Sequence, residues 1–96
     1  MKLKFNLTSK NGALVDIELV MQKTCGLVAV GEIKNGSISK GDTVSVQAGD
    51  KVAINHQVKR IEINHEEVAT ADKGQTIGIC LGNILTEELV QYLKPN

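Results

Sequence analysis

The sequence predicts an all-β fold, a small closed Greek-key-like β-barrel with an added N-terminal hairpin. Three observations lead there. Gly26–Gln47, GLVAVGEIKNGSISKGDTVSVQ, fits three short β-rich runs into about twenty residues with glycine at each corner. Two runs nearer the N-terminus alternate apolar and polar residues with the period of a strand. Turn pairs such as Asn11-Gly12, Asn35-Gly36 and Gly82-Asn83 punctuate the chain throughout.

Taken in order, Lys2 to Thr8 sets Leu3, Phe5 and Leu7 against Lys2, Lys4 and Asn6, a half-buried strand. Ser9-Lys10-Asn11-Gly12 turns the chain, and Ala13 to Met21 returns with Val15, Ile17 and Leu19 on one face. This pair, residues 1–21, is the N-terminal hairpin. Gln22 to Cys25 leads into the central stretch. There Leu27 to Ile33 is a strand, and Asn35-Gly36 is a hairpin signal because both residues tolerate positive φ. Ser37 to Ser39, a turn at Lys40-Gly41-Asp42, and Thr43 to Gln47 follow. Lys51 to Gln57 is weakly patterned, with Val52 and Ile54 able to continue a strand, and Val58 to Ile63 is a clearer one. His65 to Gly74 reads as a polar loop anchored by Val68. Gln75 to Leu81 carries Ile77, Ile79 and Leu81 on one face and Cys80 on the other. Thr86 begins one or two helical turns, since Glu87 and Glu88 favour a helix N-terminus and Leu85, Leu89 and Leu93 are spaced i, i+4. The expected core is Phe5, Ile17, Val28, Val30, Ile33, Val44, Val46, Ile61, Ile77, Ile79 and Leu81. The whole is one domain, 1–96, with a barrel core at 22–84 and a short helical or extended tail at 85–96.

Eleven basic and eleven acidic residues give zero formal charge, so no global field draws the chain to nucleic acid. Phe5 and Tyr92 are the only aromatics, too few for a base-stacking platform. No G-x-x-x-x-G-K-[ST] pattern occurs, so nucleotide binding and a GTPase domain are not expected. No run approaches a membrane span. Cys25 and Cys80, distant and without a CxxC, fit a reducing cytoplasm, as does the lack of a signal peptide.

Two blocks carry a resemblance. The first is the glycine-cornered stretch with its Asn-Gly and Lys-Gly-Asp. The second is Val58 to Ile79, VKRIEINHEEVATADKGQTIGI, with a strand, a His-Glu loop, a Lys-Gly turn and a closing strand. Together they resemble domain 2, the β-barrel of translational GTPases of the elongation factor Tu family, here without the GTPase domain. The resemblance implies a binding surface for the aminoacyl end of tRNA or for ribosomal RNA. Glu18 falls where the family often has an acidic residue, and Glu62 lies in the matching Ile-Glu-Ile strand. Leu19 replaces a common acidic partner, Val30 a frequent threonine and Thr76 a frequent asparagine. Those lost polar groups argue against holding aminoacyl-tRNA in the family's manner.

Catalysis needs positioned acids, bases or nucleophiles, and few are present. His65-Glu66-Glu67 has no second ligand pair at metal spacing, and reads as a solvated loop. Cys80 reads as core, leaving Cys25, near Lys23, as the one thiol to test. Gly26, Gly31, Gly36 and Gly41 recur every five residues but precede no helix, so they read as barrel corners rather than a phosphate loop. Lys51, Lys59 and Arg60, with Lys34 or Lys40, form either a modest basic patch or ordinary solubilising charge. The expectation is a non-enzymatic binding module with no cofactor and no metal. Its candidate residues are Glu18, Lys51, Lys59, Arg60 and Glu62, and its partners the ribosome, RNA or a translation-linked protein. The alternative is a protein–protein adaptor or homo-oligomeric structural domain with no nucleic-acid role.

Overall fold

A computed structural model describes residues 2–47, 54–83 and 89–91. The class is all-β. The strands are β1 (Lys2–Ser9), β2 (Leu14–Lys23), β3 (Gly26–Asn35), β4 (Ser37–Ser39), β5 (Thr43–Gln47), β6 (Ile54–Gln57), β7 (Arg60–Ile63), β8 (Glu66–Val68), β9 (Thr70–Asp72) and β10 (Thr76–Gly82). Eight pair antiparallel in the order β6-β5-β1-β2-β3-β10-β7-β8, and β4 pairs with β9 in a separate two-stranded sheet.

The N-terminal hairpin occupies the centre of the large sheet, with β1 paired to β5 and β2 to β3. Its turn is held by Gly12 N donating to Ser9 O at 3.1 Å and by Ala13 N donating to Ser9 Oγ at 3.1 Å. Alternation in β1 and β5 reaches the core as expected, burying Phe5 and Leu7, then Val44 and Val46. The core cluster joins these to Ile17, Ile33, Ile61, Ile77, Ile79 and Leu81. Of the expected core residues Val30 alone is half-buried, on the outer face of β3. Residues 89–91 are helical, and Leu89 enters the core. Thr86, with Leu85 and Leu93, lies outside the described residues. No helix among the described residues is long and apolar enough to cross a membrane.

The expected closed ladder is corrected. Among the described strands, β6 pairs only with β5, and β8 only with β7, so the hydrogen-bonded order stays open. The chain itself links both sides. Between β6 and β7 lie only Val58 and Lys59. Val58 exchanges backbone hydrogen bonds with the β5 side, to Asp42 O at 2.8 Å and from Gly41 N at 2.9 Å. Lys59 N then turns to Cys80 O at 2.8 Å. One bent segment therefore leaves β5 and joins β10 at Val58, whose side chain is buried.

Two local expectations also change. Asn35-Gly36 is not a hairpin turn, because β4 pairs with β9. Only Gly36 of the two has positive φ, at 71°, which does not satisfy the two-residue turn that needs both. Gly36 instead backs onto Ala13, and Asn35 Nδ2 donates to Gly12 O at 3.2 Å. The loop expected at 65–74 holds β8 and β9. Asn64 and His65, at φ 52° and 67°, form the tight turn that the earlier pair did not, and Ile63 pairs with Glu66 across it.

His56 on β6 stands opposite Val44, and burial lowers its imidazole below the ordinary 6.5. The unfolded chain then binds more protons than the native one in the window below about 6.5. Stability is expected to fall as pH drops through that window to the depressed native value. Urea titrations of a His56→Gln variant should lack this slope.

Candidate functional site

Antiparallel register places side chains in rows across the sheet, since directly opposed residues share a face. One outer row runs Met21, Val28, Cys80, Arg60 across β2, β3, β10 and β7. The next runs Leu19, Val30, Gly78, Glu62 and on to Glu67 of β8. Gly78 leaves the middle of the second row without a side chain. A Cβ there would meet Val28 Cγ1 at 3.4 Å, ordinary contact, so the glycine opens a floor rather than relieving a clash.

Two adjoining hollows result, of about 320 and 300 Å³, and they share Lys23, Val28, Glu62 and Gly78. They form one groove. Its first end is lined by Thr24, Cys25, Arg60 and Cys80, its second by Val30, Asn64, His65 and Thr76. The floor is apolar and the walls are polar, the arrangement of a small recognition site.

The charge of Arg60 is balanced by its neighbours. Arg60 Nε lies 2.9 Å from Glu62 Oε2 and 3.8 Å from Glu67 Oε1, and Lys40 Nζ lies 3.5 Å from Glu67 Oε2. These pairs are substantially exposed and contribute roughly 0–1 kcal/mol each. Their effect is to spend the cations on neighbouring carboxylates. Lys23 forms no ion pair among the described residues and is the groove's uncompensated positive charge.

Of the residues singled out from sequence, Arg60 and Glu62 come together in the groove. Lys59 is exposed outside it; its Nζ donates to Gln57 Oε1 at 3.1 Å. Glu18 is the extra residue of a β-bulge, because Ile17 pairs with Gly31 and Leu19 with Val30. It stands outside the groove, beside an acidic strip with Asp16 and Glu32. Lys34 belongs to that strip: its Nζ donates to Glu32 Oε1 at 3.1 Å, and this hydrogen bond raises its pKa. Lys51 lies outside the described residues. Of Lys59 and Arg60, the two described, Arg60 lines the groove and Lys59 does not. Sequence reasoning missed Lys23, Met21 and Gly78 as groove residues. Period-two patterning marks the outer face of a strand, but only the register shows which outer residues meet.

The cysteine reading is also corrected. Cys25 and Cys80 form a disulfide with Cα atoms 6.4 Å apart, so Cys25 is not a free thiol. Among the described residues no group of three or more His, Cys, Asp or Glu comes together to hold a metal.

No family model matches the chain. It is similar to elongation factor 1-alpha of Halobacterium salinarum, 38% identical over 64 residues, 67% of this chain and 14% of the relative. It is 40% identical over 53 residues to elongation factor 1-alpha of Natronomonas pharaonis, 55% of this chain and 12% of the relative. The same factor from Methanocella arvoryzae is 44% identical over 54 residues, 55% and 13% respectively. The matched segment spans about an eighth of the length of these relatives. The resemblance to translational GTPases therefore stands, confined to an elongation-factor-like portion.

Proposed function

We propose that this elongation-factor-like chain, residues 1–96 as one domain, is a non-enzymatic binding module. It presents the Arg60–Glu62 groove to a partner in translation: ribosomal or transfer RNA, or a translation-linked protein. The similarity to elongation factor 1-alpha over 64 residues carries this reading. The groove adds a recessed apolar floor with polar walls on the face built by β2, β3, β10 and β7. The reading includes a cytoplasmic location and needs no nucleotide, cofactor or membrane.

The charge balance supplies the test. Purified protein is titrated against ribosomal particles and transfer RNA over a series of salt concentrations. With RNA in the groove, Arg60→Ala weakens binding and lowers the salt slope by about 1. Glu62→Lys strengthens binding, because it removes a carboxylate and adds a cation. With a protein partner fitted to the native pair, both substitutions weaken binding. Failure to associate with any ribosomal particle, RNA or translation-linked protein at low salt removes the reading.

A second reading, a homo-oligomeric domain or adaptor, is favoured by the open margins of the large sheet. Strands β6 and β8 each pair on one side only among the described residues. Light scattering that returns a monomer across the micromolar range would eliminate the homo-oligomer.

A further inference from the structure

We infer that Cys25 and Cys80 form a thiol–disulfide exchange site in the groove, open to low-molecular-mass thiols, and that its redox state sets the shape of the groove's first end. The inference goes beyond the translation reading and does not depend on it.

Both cysteines line the same hollow, with Lys23, Arg60 and Val28 around them. Their exposure differs: Cys25, in the turn between β2 and β3, is half-buried, while Cys80 on β10 is 2% exposed. Cys25 is the more exposed of the two in the hollow, so attack by an external thiolate is directed to the Cys25 sulfur. Lys23 flanks the approach, and anionic nucleophiles gain from an uncompensated cation there. On the far side, Arg60 is the ladder partner of Cys80, so its guanidinium shares the face of the departing sulfur.

The step balances without a further reagent. The thiolate attacks Cys25 Sγ, forming a mixed disulfide; the Cys25–Cys80 bond breaks and its electron pair leaves on Cys80, which takes a proton from solvent. A second thiol attacks the reagent's sulfur in the mixed disulfide. The reagent departs as its oxidised dimer, and Cys25 is left as a thiol after protonation. The protein disulfide is reduced by two electrons, and two reagent thiols are oxidised.

The fold provides for both states. Cys80 Sγ lies 3.2 Å from Cys25 O, an acceptor already in place for the thiol that reduction creates. Beside it, a Cβ on Gly26 would fall 2.0 Å from Gly82 O, so the turn rests directly against the end of β10. This backbone contact remains when the covalent tie opens, while Thr24 and Cys25 are released from Cys80.

The full oxidised chain is treated with glutathione in buffer and at rising urea below the unfolding transition. The expected rate is proportional to thiolate concentration and flat in urea, with the trapped glutathione adduct on Cys25. Lys23→Ala should slow glutathione about threefold, the factor for one charge at close range in water. Cysteamine, whose thiolate carries a compensating ammonium, should be much less affected. Amide resonances of Val28, Gly78 and Glu62 should differ between the two redox states. A rate that climbs with urea and saturates in thiol would mean reduction only through unfolding, and would overturn the inference. So would an adduct on Cys80, or groove resonances unchanged by reduction.

Discussion

Gly31→Ala is expected to lose about 3 kcal/mol of stability or more, the upper end for forced overpacking with backbone displacement. The new Cβ would stand 2.0 Å from Asp16 O and 2.7 Å from both Asp16 C and Ile17 Cα. All three are backbone atoms, so no rotamer change relieves the contact. The contact lies next to the Glu18 bulge, where Ile17 pairs with Gly31. The shift needed would pull Ile17, fully buried, away from the core. A domain of this size has roughly 5–14 kcal/mol to lose, so the variant is expected to melt about 15 °C lower or to fail to fold. Gly41→Ala is the control. Nothing lies within 4 Å of its Cβ position, and only the strain of φ +94° remains, about 1 kcal/mol. Equal losses in the two variants by urea denaturation would refute the close-approach argument.

Opening the Cys25–Cys80 disulfide is expected to cost about 2–4 kcal/mol, because the link constrains a long loop in the unfolded chain. The two residues are 55 apart in sequence, and most of the core lies between them. Reduced wild type and Cys25→Ala should show nearly the same urea midpoint. Cys25→Ala removes the link while keeping the buried Cys80 side chain. Cys80→Ser should fall lower, since it also puts a hydroxyl at a 2% exposed position. If Cys25→Ala matched the oxidised protein, the cross-link would have no part in stability.

Period-two alternation made β1, β2, β5 and β10 legible, because each puts alternate apolar residues on a buried face. The all-β class and nearly all the expected core follow from those strands. The short pair β8 and β9 was not legible. The turn from β7 into β8 uses Asn64 and His65 at positive φ, with no glycine to announce it, and β9 pairs with the distant β4. The opposite error occurred at Asn35-Gly36, a strong turn pair that tertiary contact with Ala13 diverted into a corner. The groove needs register rather than pattern: Gly78 is only a strand glycine until Val30 and Glu62 are known to flank it. Long-range pairing hid the disulfide for the same reason. The Arg60–Glu67 ion pair was equally hidden, since Glu67 reaches it only through β8.

The hand-over at Val58 and Lys59 has a consequence for folding fidelity. A strand that slips by one residue normally turns its whole apolar face outward, and a neighbour on one side is all that resists it. Here a slip of residues 54–57 along β5 would be transmitted through two residues to 60–63 along β10. It would misalign Ser45 with Asn55 and Ile79 with Ile61 together. The segment is aligned against two templates, β5 before it in the chain and β10 after it. Mispaired chains are therefore expected to remain open until β10 arrives, rather than to set in the wrong alignment.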